Sequence, residues 1–81
     1  MENEVSDAIH LKLFATLAKF APPDAACYPV TPGTTVRAVL EKLGVPVSQA
    51  KLIFVDNVRK ALDTPLNGGE RVGVFPPVGG G

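Results

Sequence analysis

The chain has one cysteine, one histidine, no tryptophan and no net charge, and each shortage removes a class of function. Cys27 alone cannot close an internal disulfide. With His10 as its sole companion there are too few ligands for a Cys/His zinc site, so no bound metal is expected. Eight basic and eight acidic residues cancel, which leaves no overall positive charge to attract nucleic acid or an anionic membrane surface. No apolar run approaches the ~20 residues that cross a bilayer. The start, Met1-Glu2-Asn3-Glu4, is acidic where a secretory leader would be basic. The expectation is a soluble, cytoplasmic protein with neither nucleic-acid nor membrane partners. Eighty-one residues allow a single domain with one modest core, held by packing alone.

What is present is a succession of short periodic segments. Residues 1–7 are polar with no apolar period and are expected to form a disordered N-terminal segment. From Ile9 the apolar residues Ile9, Leu11 and Leu13 alternate with His10 and Lys12, the period of a strand with one buried face. Ala15-Thr16-Leu17-Ala18-Lys19-Phe20 suits a short helical turn ended by Pro22-Pro23. A second strand is expected over about residues 26–30. Pro32-Gly33 turns the chain, and Thr34 or Thr35 is placed to cap a helix. Val36, Val39, Leu40 and Leu43 fall at i, i+3, i+4 and i+7, one apolar stripe, and Gly44 and Pro46 end the helix. Leu52-Ile53-Phe54-Val55 is wholly apolar and rich in β-formers, so a buried central strand is expected. Asp56-Asn57 turns the chain into a brief edge strand over residues 58–62. Asn67-Gly68-Gly69 marks another turn, too far from any Gly-Lys-Ser/Thr to be a phosphate loop. Arg71-Val72-Gly73-Val74-Phe75 alternates as a final strand.

The order β, β, α, β, short β, β predicts an α+β fold of the β-grasp type: a mixed sheet of four to five strands with one main helix packed on one face. In that arrangement the last strand lies centrally beside the first. The expected division is residues 1–7 disordered, 8–75 the β-grasp domain and 76–81 a flexible tail.

That tail, Pro76-Pro77-Val78-Gly79-Gly80-Gly81, is the most informative stretch. At roughly 7% glycine per position, two closing glycines arise by chance about once in two hundred chains. Glycine offers nothing to pack and loses most entropy when ordered. Its use at a terminus is access, since bare backbone enters a channel where any Cβ would collide. Six extended residues reach roughly 20 Å. The two prolines hold their part near polyproline II geometry and reduce the entropy lost on insertion into a partner. Gly81, through its carboxylate, is therefore the candidate reactive group, with Pro76, Pro77, Val78, Gly79 and Gly80 as the inserted stem. The competing reading is a frayed end or a cloning remnant.

These segments resemble the ubiquitin-like sulfur carriers of the MoaD/ThiS type, which include the small subunit of molybdopterin synthase and the thiamine sulfur carrier. The resemblance covers about residues 9–81. It rests on Leu13-Phe14-Ala15-Thr16-Leu17, on Pro32-Gly33-Thr34-Thr35-Val36 with Leu40-Glu41-Lys42-Leu43-Gly44, and on Leu66-Asn67-Gly68-Gly69-Glu70-Arg71-Val72. Most specific is Val74-Phe75-Pro76-Pro77-Val78-Gly79-Gly80-Gly81, which is similar to the molybdopterin branch; thiamine carriers usually lack the Pro-Pro. Departures are Val55-Asp56-Asn57-Val58 in place of a Val-Asn-Gly type of turn, the Pro-rich loop over residues 20–25 and the extra residues 1–7.

The resemblance implies a carrier and not an enzyme. An E1-like adenylating enzyme would use ATP to adenylate the Gly81 carboxylate, a sulfur donor protein would convert it to a thiocarboxylate, and a molybdopterin synthase large subunit would receive the sulfur. No cofactor would be bound by the chain itself. The alternatives are a carrier for thiamine or another thio-metabolite, and a protein modifier conjugated through Gly81.

The remaining candidates are weaker. Phe14 and Phe75 fall opposite the inward set of their strands, so they either form an exposed patch for partner docking or cover the tail root in a small cluster. Cys27, expected in a strand, suits a small apolar filler better than a sulfur relay. His10 is expected on the solvated surface. Lys12, Arg37, Lys42, Lys51, Arg59 and Lys60 need no role beyond solvation.

Overall fold

The computed structural model describes residues 7–77. The expectations for residues 1–6 and 78–81 lie outside the described residues. In chain order the elements are β1 (Asp7–Leu13), a 3-10 helix (Ala15–Phe20), a 3-10 turn (Ala25–Cys27), β2 (Tyr28–Val30), β3 (Thr34–Thr35) and α1 (Val36–Leu43). A second 3-10 turn (Val47–Gln49), β4 (Leu52–Val55), β5 (Val58–Arg59), β6 (Pro65–Leu66) and β7 (Arg71–Phe75) follow. Five strands form one sheet in the order β2-β1-β7-β4-β5. β1 and β7 are parallel, and the other pairs are antiparallel. Parallel neighbours cannot be joined by a hairpin. The intervening chain crosses one face of the sheet, and α1 lies in that crossover.

The alternation seen in β1 now has a physical cause. Ile9, Leu11 and Leu13 are buried, and so are Val72 and Val74 of β7 and Ile53 and Val55 of β4. They share one core with Val36, Val39 and Leu40 of α1. Each such fully buried aliphatic side chain stabilises the fold by about 1.5–3 kcal/mol relative to exposure. Leu43, the last member of the helical stripe, is partly buried against the same core.

Both ends of the helix are closed as its sequence predicts. The Thr35 hydroxyl accepts the Ala38 N–H at 3.1 Å. Gly44 sits at φ 82°, in the left-handed region where glycine carries no Cβ penalty. The N–H groups of Val36 and Arg37, which no helical carbonyl can reach, donate to the carbonyls of Thr64 and Leu62 at 3.1 and 2.9 Å. These bonds accompany a feature that the sequence did not announce, a two-stranded ladder of β3 with β6, in register Thr34↔Leu66 and Thr35↔Pro65.

Several boundaries differ from expectation. Asp7 belongs to β1, paired with Val30 of β2, so order reaches one residue earlier than its polarity suggested. The second strand spans only Tyr28–Val30, because the Cys27 N–H donates to the Asp24 carbonyl at 2.9 Å and closes a 3-10 turn instead of joining the ladder. Cys27 is consequently exposed and not a strand filler. The expected edge strand over residues 58–62 stops at Arg59, since the Leu62 carbonyl is turned toward α1. Strand β4 alternates buried and half-buried residues rather than being buried throughout.

Candidate functional site

The route to the tail begins at β7, the middle strand of the sheet. The Val74 carbonyl accepts the Phe14 N–H at 3.1 Å on one side, and the Phe75 carbonyl accepts the Lys51 N–H at 2.9 Å on the other. Two neighbours thus hold the strand up to its last residue. Pro76 and Pro77 then have no N–H to offer, so the ladder cannot continue through them. Pro76 is half-buried and Pro77 exposed. The chain leaves the sheet where its chemistry forbids further pairing. Gly81, Gly80, Gly79 and Val78, expected from the sequence to be the reactive end and part of its stem, lie outside the described residues.

Beside this exit, on the face opposite α1, three aromatic rings meet. Phe14 and Phe75 stack with centroids 4.1 Å apart and planes 3° from parallel. Phe54 meets Phe75 edge to face at 5.8 Å and 86°. Both are favoured geometries for ring quadrupoles. Ala15, at φ 54°, turns the chain sharply after Phe14 into the 3-10 helix. That turn leaves Phe14 bonded to Val74 while its ring lies on the open face. Gly73 makes room beneath: a Cβ there would touch Phe14 Cε2 at 3.4 Å. Phe14 and Phe75 are each partly buried in this small cluster, which also remains open to solvent.

The rings border a shallow concavity of about 470 Å³, completed by His10, Lys12, Asn57 and Arg71. Lys12 Nζ lies 5.7 Å from the centre of the Phe14 ring, within cation–π range. Strand register aligns Lys12, Gly73, Phe54 and Arg59 in one row across four strands, and directly paired residues share a face. Sequence reasoning missed Phe54 because an unbroken apolar run hides its alternation. It also treated Lys12 and Arg59 as unrelated surface charges. Pairing parity with β7 is the signal that would have placed all three.

Among the described residues no group of His, Cys, Asp and Glu is arranged to hold a metal ion. No described helix is long and apolar enough to cross a membrane.

A mixed sheet grasping one helix, with the central strand feeding directly into the C-terminal segment, defines a ubiquitin-like β-grasp protein. The sequence pattern of the ThiS family matches residues 11–81, and the chain belongs to that family. Small ubiquitin-like proteins of this kind are typically non-catalytic carriers that work with E1-like activating enzymes. No functionally curated protein matches the chain significantly. In three dimensions it is similar to the HVO 2177 protein of Haloferax volcanii, at 22% identity and a TM-score of 0.74 over all of this chain and 92% of that one. It is also similar to small archaeal modifier protein 1 of the same organism in two crystal structures. Each is 23% identical, one at a TM-score of 0.61 over 91% of this chain and 99% of that one, the other at 0.64 over 89% and 99%. At these identities the likeness bears on the fold.

Proposed function

We propose that the chain is a sulfur carrier for molybdopterin synthesis, with the Gly81 carboxylate as the group that is modified. One observation carries the reading: the central strand is bonded on both sides up to Phe75 and is then released by Pro76-Pro77 into Val78-Gly79-Gly80-Gly81. A side-chain-free end on a firmly held root can enter a partner's active site while the folded body stays outside. The family match extending through Gly81 supports the same assignment.

The chemistry requires no base from this chain. A carboxylate is a poor electrophile, so its oxygen first attacks the α-phosphorus of ATP on an activating enzyme, releasing pyrophosphate and leaving an acyl-adenylate. A donor persulfide then attacks the carbonyl carbon and displaces AMP, giving an acyl disulfide. A second thiol cleaves that disulfide and is oxidised with the donor sulfur to a new disulfide, and the thiocarboxylate is freed. In the active site of the molybdopterin synthase large subunit the thiocarboxylate gives its sulfur to a pterin precursor, and water takes up the acyl group to restore the Gly81 carboxylate. The Pro-Pro element favours this branch over thiamine or another thio-metabolite.

The test is intact mass after incubation with ATP, an activating enzyme and a persulfide source. The expected gain is that of one oxygen replaced by sulfur, lost on deleting Gly80 and Gly81 while thermal stability stays unchanged. A full-length chain whose mass never changes with any activating enzyme of this type refutes the proposal. A second reading, attachment through Gly81 to lysines of other proteins, is favoured by the fold shared with small archaeal modifier protein 1. It predicts covalent adducts in cell extracts that vanish with the same deletion.

A further inference from the structure

The face of the sheet that carries α1 has an opening of its own. Between β2 and α1 lies a concavity of about 340 Å³, at the small end of the range for ligand sites. Val30, Ala38 and Val39 supply apolar wall, and Tyr28, Thr31, Thr34 and Lys42 supply polar groups. Ala38 and Lys42 are four residues apart on α1, so they stand on the same side of the helix. Residues 31–35 join the two elements. Thr31 and Thr34 therefore sit where β2 passes into α1, whereas Tyr28 and Lys42 lie far from that junction along their elements.

These polar groups are not satisfied within the described fold. Among the described residues, side-chain hydrogen bonds involve Thr35, Arg37, Asp56, Asp63 and Glu70, and none reaches Tyr28, Thr31, Thr34 or Lys42. Tyr28 is the telling member, because only 8% of it is exposed. A buried hydroxyl left unbonded costs free energy, and a ligand that bonds it removes that cost. Lys42, to which the sequence gave no role beyond solvation, is the one charged residue among those described around the concavity. No described carboxylate borders it. Of the acidic residues on adjoining elements, Asp7 packs on Gly68, Glu41 is exposed on α1, and Asp24 is exposed ahead of the 3-10 turn that leads into β2.

Strand addition does not suit this edge. β2 is the outer strand of its sheet, but Pro29 at its centre has no N–H to offer an incoming strand. Recognition must then come from side chains. A single ammonium matches a single negative charge, which selects a monoanion over a phosphate or a dicarboxylate.

We propose that this cleft binds a small organic carboxylate. Its oxygens accept from Lys42 Nζ and the Tyr28 hydroxyl, and a short branched hydrocarbon body lies on Val30, Ala38 and Val39. Thr31 and Thr34 limit its length, since a longer apolar chain would desolvate their hydroxyls. The inference does not rest on the carrier reading. Val30 pairs with the start of β1, whereas the tail leaves beyond the far end of that strand, so the acid and a tail-binding partner can be held together.

The probe is isocaproate, with isocaproamide as the uncharged control of the same shape, added to the full chain at constant ionic strength. Tyr28 is the single tyrosine and there is no tryptophan, so fluorescence excited in the tyrosine band reads this site alone. Amide nuclear magnetic resonance shifts then locate the ligand. Saturable binding of isocaproate is expected with a dissociation constant of about 1 mM or tighter, with shifts confined to β2, α1 and their connection. Lys42→Met, which keeps the apolar stem without the charge, should weaken the acid about tenfold and leave the amide unaffected. Tyr28→Phe should also weaken the acid, and its urea midpoint should be unchanged or higher, because it removes a hydroxyl that nothing in the described fold bonds. No saturable response, equal binding of acid and amide, or shifts centred on the open sheet face overturn the proposal. So does a Lys42→Met chain that binds isocaproate as the wild type does. A Tyr28→Phe chain that unfolds at lower urea overturns it as well, since the hydroxyl would then already be bonded within the protein.

Discussion

The stacked pair at the tail root offers a direct test of whether that exit is held as described. Phe14→Ala and Phe75→Ala each remove a half-buried ring. Truncating a fully buried phenylalanine costs about 3–5 kcal/mol, and each of these rings keeps at most about a third of its surface exposed, which scales the expected loss to about 2–4 kcal/mol for each single variant. The stack at 4.1 Å adds a pairwise term of about 0.5–1.5 kcal/mol beyond area. The double variant should therefore lose less than the sum of the singles, by about 1 kcal/mol. Urea unfolding followed by circular dichroism reads this well. With a slope near 1 kcal/mol per molar for so small a domain, each single variant moves the midpoint by about 2–4 M. In thermal unfolding, each kcal/mol is worth about 4–8 °C. Phe75 also meets Phe54 at 5.8 Å, so Phe75→Ala should be the costlier single change. Additivity within about 0.3 kcal/mol would mean that the rings do not pack on each other in solution, and the description of the tail root would be wrong.

Two other expectations concern the frame that positions this root. Gly68→Ala should destabilise by about 2 kcal/mol or more, because φ is 110° there and a Cβ would lie 2.9 Å from Asp7 Cγ and closer still to Asp7 Cβ; urea midpoints for this variant and for Gly68→Ala/Asp7→Gly should show partial recovery in the pair, and an innocuous Gly68→Ala would refute the β1 start. Thr35→Ala should cost about 1 kcal/mol by removal of the helix cap, measured the same way, and a change below a few tenths would show that the bond from Ala38 contributes nothing.

Much of the fold was legible because the signals are local. Ile9, Leu11 and Leu13 repeat every two residues, and Val36, Val39 and Leu40 repeat with the helical period. Thr35 and Gly44 bound α1 through bonds to residues three and four away. Where the sequence misled, a backbone bond outside the sheet ladder had intervened. The Leu62 carbonyl faces α1 rather than a strand partner, and the Cys27 amide turns back on Asp24. β3 and β6, two residues each, are too short to show a period.

For the candidate site, the sequence alone supplied the terminator, two prolines without amide hydrogens followed by glycines, since that property belongs to the residues themselves. The central place of β7 was expected from the order of elements, but only the tertiary structure decided its register. Register is what brings Phe54 to Phe75, sets Arg59 opposite Phe54 and pairs His10 with Arg71. Side chains far apart in the chain become neighbours only when strands align, and a shift of one residue would send each of them to the other face.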